Sequence, residues 1–144
     1  HMMGETIPKE SNKVTLDATK KDAWGMPLLH MDVSYDTNDD LMVKDFIDQF
    51  TEMYEKAGFK NIKTRDTHAP AGLDIHEMGG VRMGSDPKTS LLNKWNQLHH
   101  VKNVFVTDGA CMTSTSTQNP SLTYMAFTAR AVDFAVKEMK KGNL

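Results

Sequence analysis

The sequence predicts an α+β chain with a small antiparallel sheet, a long amphipathic helix and a buried helix near the carboxyl end. Three observations carry that prediction. Residues 13–17 and 28–35 alternate apolar and polar side chains, as strands with one wet face do. From Val43 onward, apolar residues recur three and four positions apart, which marks one face of a helix. Residues 122–136 are apolar on nearly every side, a pattern that suits an enclosed helix.

Residues 3–12 are polar, carry Pro8 and read as an extended lead-in. Lys13 to Asp17 then alternates as a short strand, a polar turn passes through Lys20, Lys21 and Asp22, and Trp24 to Pro27 is a break. In the second strand Leu29, Met31, Val33 and Tyr35 oppose His30, Asp32 and Ser34, so His30 falls on the solvated face. Thr37 to Asp40 offers capping side chains to the first helix. Its apolar stripe is Phe46, Ile47, Phe50, Met53, Tyr54 and Ala57, and Gly58 supplies the stop. Phe59 to Thr64 reads as a third strand, residues 65–74 as a loop, and residues 85–100 as a loop with short helical turns. Val101 to Val106 reads as a brief strand with Asp108, Gly109 and Ala110 at its carboxyl end, a usual place for ligands of open sheets. Thr113 to Thr117 is a hydroxyl-rich tract, suited either to close passage past a bulky ligand or to a plain surface loop. Pro120 suits the first turn of the last helix, where a missing N–H costs nothing, and Lys137, Lys140 and Lys141 complement its dipole before Gly142.

A chain of 144 residues is one domain's worth, and His1–Met2 reads as a cloning scar. Seventeen basic and 19 acidic residues are mixed along it, for a net charge of -2, which excludes the electrostatic footprint of a nucleic-acid or anionic-membrane binder. The single Cys111 excludes an internal disulfide and a cysteine zinc cluster. No apolar run is long enough to span a bilayer. The eleven methionines sit mostly at helical or strand spacing beside other apolar residues, where Met fills gaps.

The chemistry concentrates between Ile75 and Arg130. His76 has a near-neutral reference pKa and stands beside Gly79 and Gly80, while Asn119 places an amide where a helix begins. Brought together, they would hold one oxygen between a proton acceptor and a hydrogen-bond donor. For Asn119, helix capping is the competing role. Asp66, His68, Asp74, His76 and Glu77 resemble a metal set, but Gly80 occupies the second imidazole position of a His-Glu-x-x-His pattern. An interaction or metal-binding module built on the Asp66–Glu77 cluster is therefore the alternative function. Arg82 is expected in a structural ion pair, and His99 and His100 as a surface pair.

Three ordered segments resemble the carboxyl-terminal portion of glucose-methanol-choline (GMC) flavoprotein oxidoreductases. They are His76 to Gly84, Asn103 to Ala110, and Asn119-Pro120-Ser121-Leu122-Thr123 followed by Ala129-Arg130-Ala131. Upstream, Asn12 to Asp17 and Asp22 to Pro27 are similar to substrate-domain strands of bacterial members, including sugar and polyol dehydrogenases. The resemblance implies a single domain over residues 1–144. Within it, residues 11–66 supply substrate-domain-like strands and helix, and residues 74–141 the histidine loop, a flavin-contacting strand and the last helix. It also implies alcohol oxidation, with His76 as the general base, Asn119 orienting the substrate oxygen, and Asp108, Gly109, Ala110, Asn119 and Pro120 at the FAD.

One departure shapes the expectation. None of the nine glycines forms the Gly-x-Gly-x-x-Gly fingerprint of a dinucleotide cradle. The chain thus reads as the carboxyl-terminal part of a longer enzyme that, alone, neither retains FAD nor turns over. Its implied partners are an alcohol substrate, an amino-terminal FAD domain of the same protein and an electron-acceptor subunit. Apolar surface left open on the piece would favour self-association.

Overall fold

The computed structural model describes residues 2–67, 69–73 and 75–144. In chain order it contains β1 (Lys13–Lys21), β2 (Pro27–Asp32), α1 (Thr37–Lys56), one turn of 3-10 helix (Gly109–Cys111) and α2 (Ser121–Lys140). Two antiparallel strands and two long helices make the α+β architecture. The chain divides into two compact units, His1–Asp74 and Ile75–Leu144.

In the first unit β1 and β2 pair with Val14 opposite Met31 and Leu16 opposite Leu29, so the alternation builds one apolar face. β1 runs four residues past the expected Asp17, because that carboxylate makes a bulge where a turn was expected. Asp17 Oδ1 accepts from the N–H groups of Thr19 (2.9 Å) and Lys20 (2.8 Å), which take no part in the regular ladder. These bonds hold the Asp17 carboxyl below its ordinary pKa, the Lys20 N–H being the strongest cause. The hairpin closes at Asp22, whose Oδ1 accepts from the N–H groups of Trp24 and Met26, both at 2.9 Å, while Gly25 takes φ +84°.

α1 starts one residue earlier than its sequence cap suggested. Asp36 is the N-cap and accepts from Asn38 and Asp39 N–H, while Asp39 Oδ2 accepts from the Asp36 N–H at 2.9 Å. This reciprocal box satisfies donors that the first turn cannot pair internally. At the other end Gly58, at φ +85°, donates to Glu55 O and Phe59 donates to Tyr54 O at 3.0 Å. This closing pattern uses the Phe59 N–H, and Asn61 then turns left-handed at φ +58°. For those two reasons the expected third strand over 59–64 does not form.

The second unit is held by short pairings between loops. Residues 81–83 lie between two neighbours: Val81 and Met83 donate to Ala110 O (3.1 Å) and Cys111 O (2.9 Å), and Gly84 donates to Leu92 O (2.8 Å). The expected strand over 101–106 is a turn and one bridge, Gln97 to Phe105, because Val104 N–H folds back onto Val101 O. Residues 85–100 contain turns and bridges and no helical turn. Leu92, Cys111 and Asn96 are fully buried at the centre, with Ala131 of α2 against them.

Asn96 organises this centre. Its backbone is left-handed (φ +62°), its Nδ2 donates to Val106 O at 3.0 Å, and its Oδ1 accepts from Arg130 Nη2 at 2.9 Å. α2 is further seated by Phe134, which stacks on Trp95 with ring centroids 4.9 Å apart and nearly parallel planes.

The expected enclosure of α2 is not what this chain provides. Leu122, Met125, Val132 and Met139 are each more than half exposed, and only Ala131 is buried. A helix apolar all round needs packing on two sides, and the loops of this unit cover one. The hairpin is in the same condition, with Val14, Leu16, Leu29 and Met31 each more than half exposed.

Replacing Asn96 by Leu leaves the Arg130 guanidinium and the Val106 carbonyl without their buried partner and puts a bulky residue at positive φ. We expect a loss of roughly 3 kcal/mol in denaturant unfolding; a loss below about 1 kcal/mol contradicts the role given to this amide.

Candidate functional site

His76, the expected base, opens the loop over residues 76–84 in the second unit. It is half-buried and held at φ +69°, a region that costs a residue with a Cβ on the order of 1 kcal/mol. Gly79 (φ +88°) and Gly80 (φ +80°) follow, so residues 76–80 form an open turn and not the first half of a zinc-binding helix. Among the described residues no group of three His, Cys, Asp or Glu side chains is placed to hold a metal. His68 and Asp74, both part of the metal-like set, lie outside the described residues.

The Asp108–Ala110 segment packs directly on this loop. Asp108 Oδ1 accepts from Ala110 N–H at 2.9 Å and caps the short turn Gly109–Cys111. Gly109 has no room for a side chain: a Cβ there would lie 2.7 Å from the Glu77 carbonyl oxygen and 3.0 Å from the Tyr124 hydroxyl. With the Val81 and Met83 hydrogen bonds to residues 110 and 111, two of the three sequence segments are thereby joined.

α2 brings the third. Pro120 is its N-cap residue, one place before the expected first-turn position, and no side chain caps the helix. Asn119 precedes the N-cap, and among the described residues it makes no side-chain capping hydrogen bond. Among the described residues no side chain accepts from the N–H groups of Ser121, Leu122 and Thr123, which stand at the positive end of the helix dipole. Asn119 is exposed and lines a depression of about 210 Å³ with Pro120, Thr123, Gln118, Ser116 and Met112. Tyr124, one turn into α2, reaches the histidine loop, with its hydroxyl 3.7 Å from Met78 Sδ. Among the described residues no hydrogen bond joins His76 to Asn119.

Several residues outside the expected set are structural. Among the described residues Arg82 pairs with no carboxylate; its guanidinium donates to the Thr89 carbonyl, from Nε at 3.1 Å, and pins the 85–90 turn. His99 is tied to Ser90 Oγ at 3.2 Å through Nε2 and is half-buried, whereas His100 is exposed. Burial raises the Cys111 thiol pKa, although the Asn96 side chain offsets part of it. A groove of about 650 Å³ is lined by Trp95, Lys94, Met83 and Arg130 and includes neither His76 nor Asn119.

Tyr124 and Asn96 were not singled out by sequence reasoning, and Arg130 entered only as part of a matched segment, with no role of its own. Asn96 sits in a turn-rich stretch where asparagine is expected at the surface. Arg130 left a weak signal as the one charge within the apolar run Leu122 to Val132.

Comparison with known proteins gives the same assignment over most of the chain. The carboxyl-terminal family model of the GMC oxidoreductases matches residues 8–128. The chain is 38% identical over 136 residues to 2-methyl-1,2-propanediol dehydrogenase of Mycolicibacterium austroafricanum, covering 92% of this chain and 24% of that protein. It is 31% identical over 140 residues to the fructose dehydrogenase large subunit of Gluconobacter japonicus, covering 96% and 25%. It is also 32% identical over 117 residues to the gluconate 2-dehydrogenase flavoprotein of Pantoea cypripedii, covering 77% and 19%. The chain thus spans about a quarter of the length of the first two relatives. With the histidine loop, the Asp108 turn and the start of α2 all inside the matched residues, the chain belongs to the GMC oxidoreductase family.

Proposed function

We propose that this chain is the carboxyl-terminal, substrate-facing part of an FAD-dependent dehydrogenase or oxidase acting on an alcohol group of a sugar or polyol. The observation that carries the reading is the packing of the Asp108–Ala110 turn onto the His76 loop, with α2 in contact with both. The names of the relatives, dehydrogenases of a diol, a sugar and a sugar acid, support the substrate class.

The residues fit a flavin. The uncapped first turn of α2 presents N–H donors and a positive dipole end, which suit an acceptor that gains negative charge. Asp108, Gly109, Ala110, Asn119 and Pro120 would contact it, with Asp108 using the carboxylate oxygen that does not cap the turn. A bound flavin supplies the acceptor for the hydride that leaves the alcohol carbon.

This chain supplies the proton chemistry. His76, as neutral imidazole, takes the hydroxyl proton while the C–H bond breaks, so that alcohol becomes carbonyl as one proton and one hydride depart. Asn119 donates from its amide to the same oxygen and keeps it turned toward the imidazole. The strained backbone at His76 fits a side chain whose direction is fixed by the loop and not by its own preference. Glycines 79 and 80 leave open space on one side of the loop: beyond their chain neighbours, no atom of the described residues lies within 4 Å of where their Cβ atoms would stand.

The main FAD-binding segment belongs, in this reading, to the remaining length of the longer protein; a dehydrogenase would pass the electrons to a further subunit and an oxidase to oxygen. One relative is itself a large subunit. The exposed apolar faces of the hairpin and α2 are surfaces for such packing, and on the chain alone they favour self-association.

Two outcomes follow. In the longer flavin-loaded enzyme, His76→Ala lowers kcat for alcohol oxidation by roughly 10²- to 10⁴-fold with flavin content unchanged; ordinary rates in that variant refute the assignment. The chain expressed alone elutes from size-exclusion chromatography above its monomer mass and without bound flavin; a colourless, well-behaved monomer contradicts the self-association, and a yellow one contradicts the division of the cofactor site.

A further inference from the structure

We propose that Tyr124 is a positioning residue that sets the distance between the His76 loop and the Asn119 end of α2. The inference rests on the roles given above to His76 and Asn119, and it adds a part that neither of them supplies.

The two proposed catalytic side chains share no hydrogen bond, so their spacing has to be fixed by other groups. At its far end the histidine loop is held by backbone hydrogen bonds, Val81 to Ala110 and Met83 to Cys111. Its near end has three residues in the left-handed region, His76, Gly79 and Gly80, and two of them are glycines that resist bending little. Residues 76–78 therefore need a contact of their own.

Tyr124 provides it. Its hydroxyl stands 3.7 Å from Met78 Sδ, two residues beyond His76, while its own backbone N–H donates to Pro120 O at 3.1 Å, next to Asn119. The same hydroxyl occupies the side of Gly109 where a Cβ would otherwise lie, 3.0 Å from it, with Met78 Sδ 3.4 Å from that position. One oxygen thus touches the loop that carries the base and the turn expected to meet the cofactor, from the helix whose start carries the amide. Burial raises the pKa of the phenol, and the carboxylates of Asp108 and Glu77 add to it; the hydroxyl donates to the sulfur. A tyrosine ring has few rotatable bonds and is half-buried, so it works as a stiff spacer.

The variants are Tyr124→Phe, which removes the oxygen and keeps the ring, and Met78→Leu, which removes the sulfur at similar volume. Both are made in the longer flavin-loaded enzyme alongside His76→Ala. Each of the two is expected to lower kcat about tenfold with KM changed less than about twofold and flavin absorbance unchanged, since a displaced base slows the chemical step without weakening binding. The double variant should lose little more than either single one, because both break the same contact. If His76→Ala is inactive while Tyr124→Phe keeps kcat within twofold of the parent, the spacer role is overturned and the catalytic reading stands. It is also overturned if the loss in Tyr124→Phe and Met78→Leu follows lost flavin, or if their effects multiply. If His76→Ala is active, the catalytic reading fails first, and the inference with it.

Discussion

The second unit depends on a buried amide more than on an apolar core. Asn96 donates its side-chain N–H to Val106 O, accepts from Arg130 on its side-chain oxygen and from the Val106 N–H on its backbone oxygen, with no exposure to water. These bonds fasten α2 to a loop that has no regular strand to offer. Inside a protein such bonds are strong when complete and costly when broken, so this arrangement favours one geometry over many loose ones. Arg130 also lies over the Phe127 ring, 4.8 Å from its centroid, while its Nε is buried with no hydrogen-bond partner among the described residues.

That fastening matters for the site because α2 carries Asn119 and Tyr124, while the loops on which it is seated carry His76 and Asp108. Backbone hydrogen bonds hold the loops together, and Gly109 lets them approach within contact of the Glu77 carbonyl and the Tyr124 hydroxyl. Strain at His76, a side-chain-free position at 109 and a helix end without a cap each cost stability. Under the proposed function, these three costs fall on the segments that would form the site.

Much of this was legible in the sequence, and the failures have physical causes. The helix over Thr37–Lys56 follows from its stripe and its stop, and the hairpin from alternation. The segments at 76–84, 103–110 and 119–123 could be read as one constellation because their order and spacing are those of the family. Propensity overestimated strand at 59–64, where Gly58 and Asn61 redirect the backbone, and at 101–106, where a turn takes the hydrogen bond. The apolar run in α2 was read as enclosure, but apolar sequence reports what a surface prefers to meet. Leu122, Met125 and Val132 meet solvent in this chain. Tyr124 and Asn96 gave no signal, since a tyrosine in an apolar helix and an asparagine in a turn are ordinary; only their neighbours in space give them a role.

The central claim is that an imidazole and a carboxamide, 43 positions apart in the chain, address one substrate oxygen. The most direct test is a crystal structure of the longer flavin-loaded enzyme with a non-reactive alcohol analogue bound. The account predicts the analogue's oxygen within hydrogen-bond reach of both a His76 ring nitrogen and the Asn119 amide nitrogen, about 3 Å from each. An oxygen held by other groups, with either of these side chains turned away from it, would contradict the account.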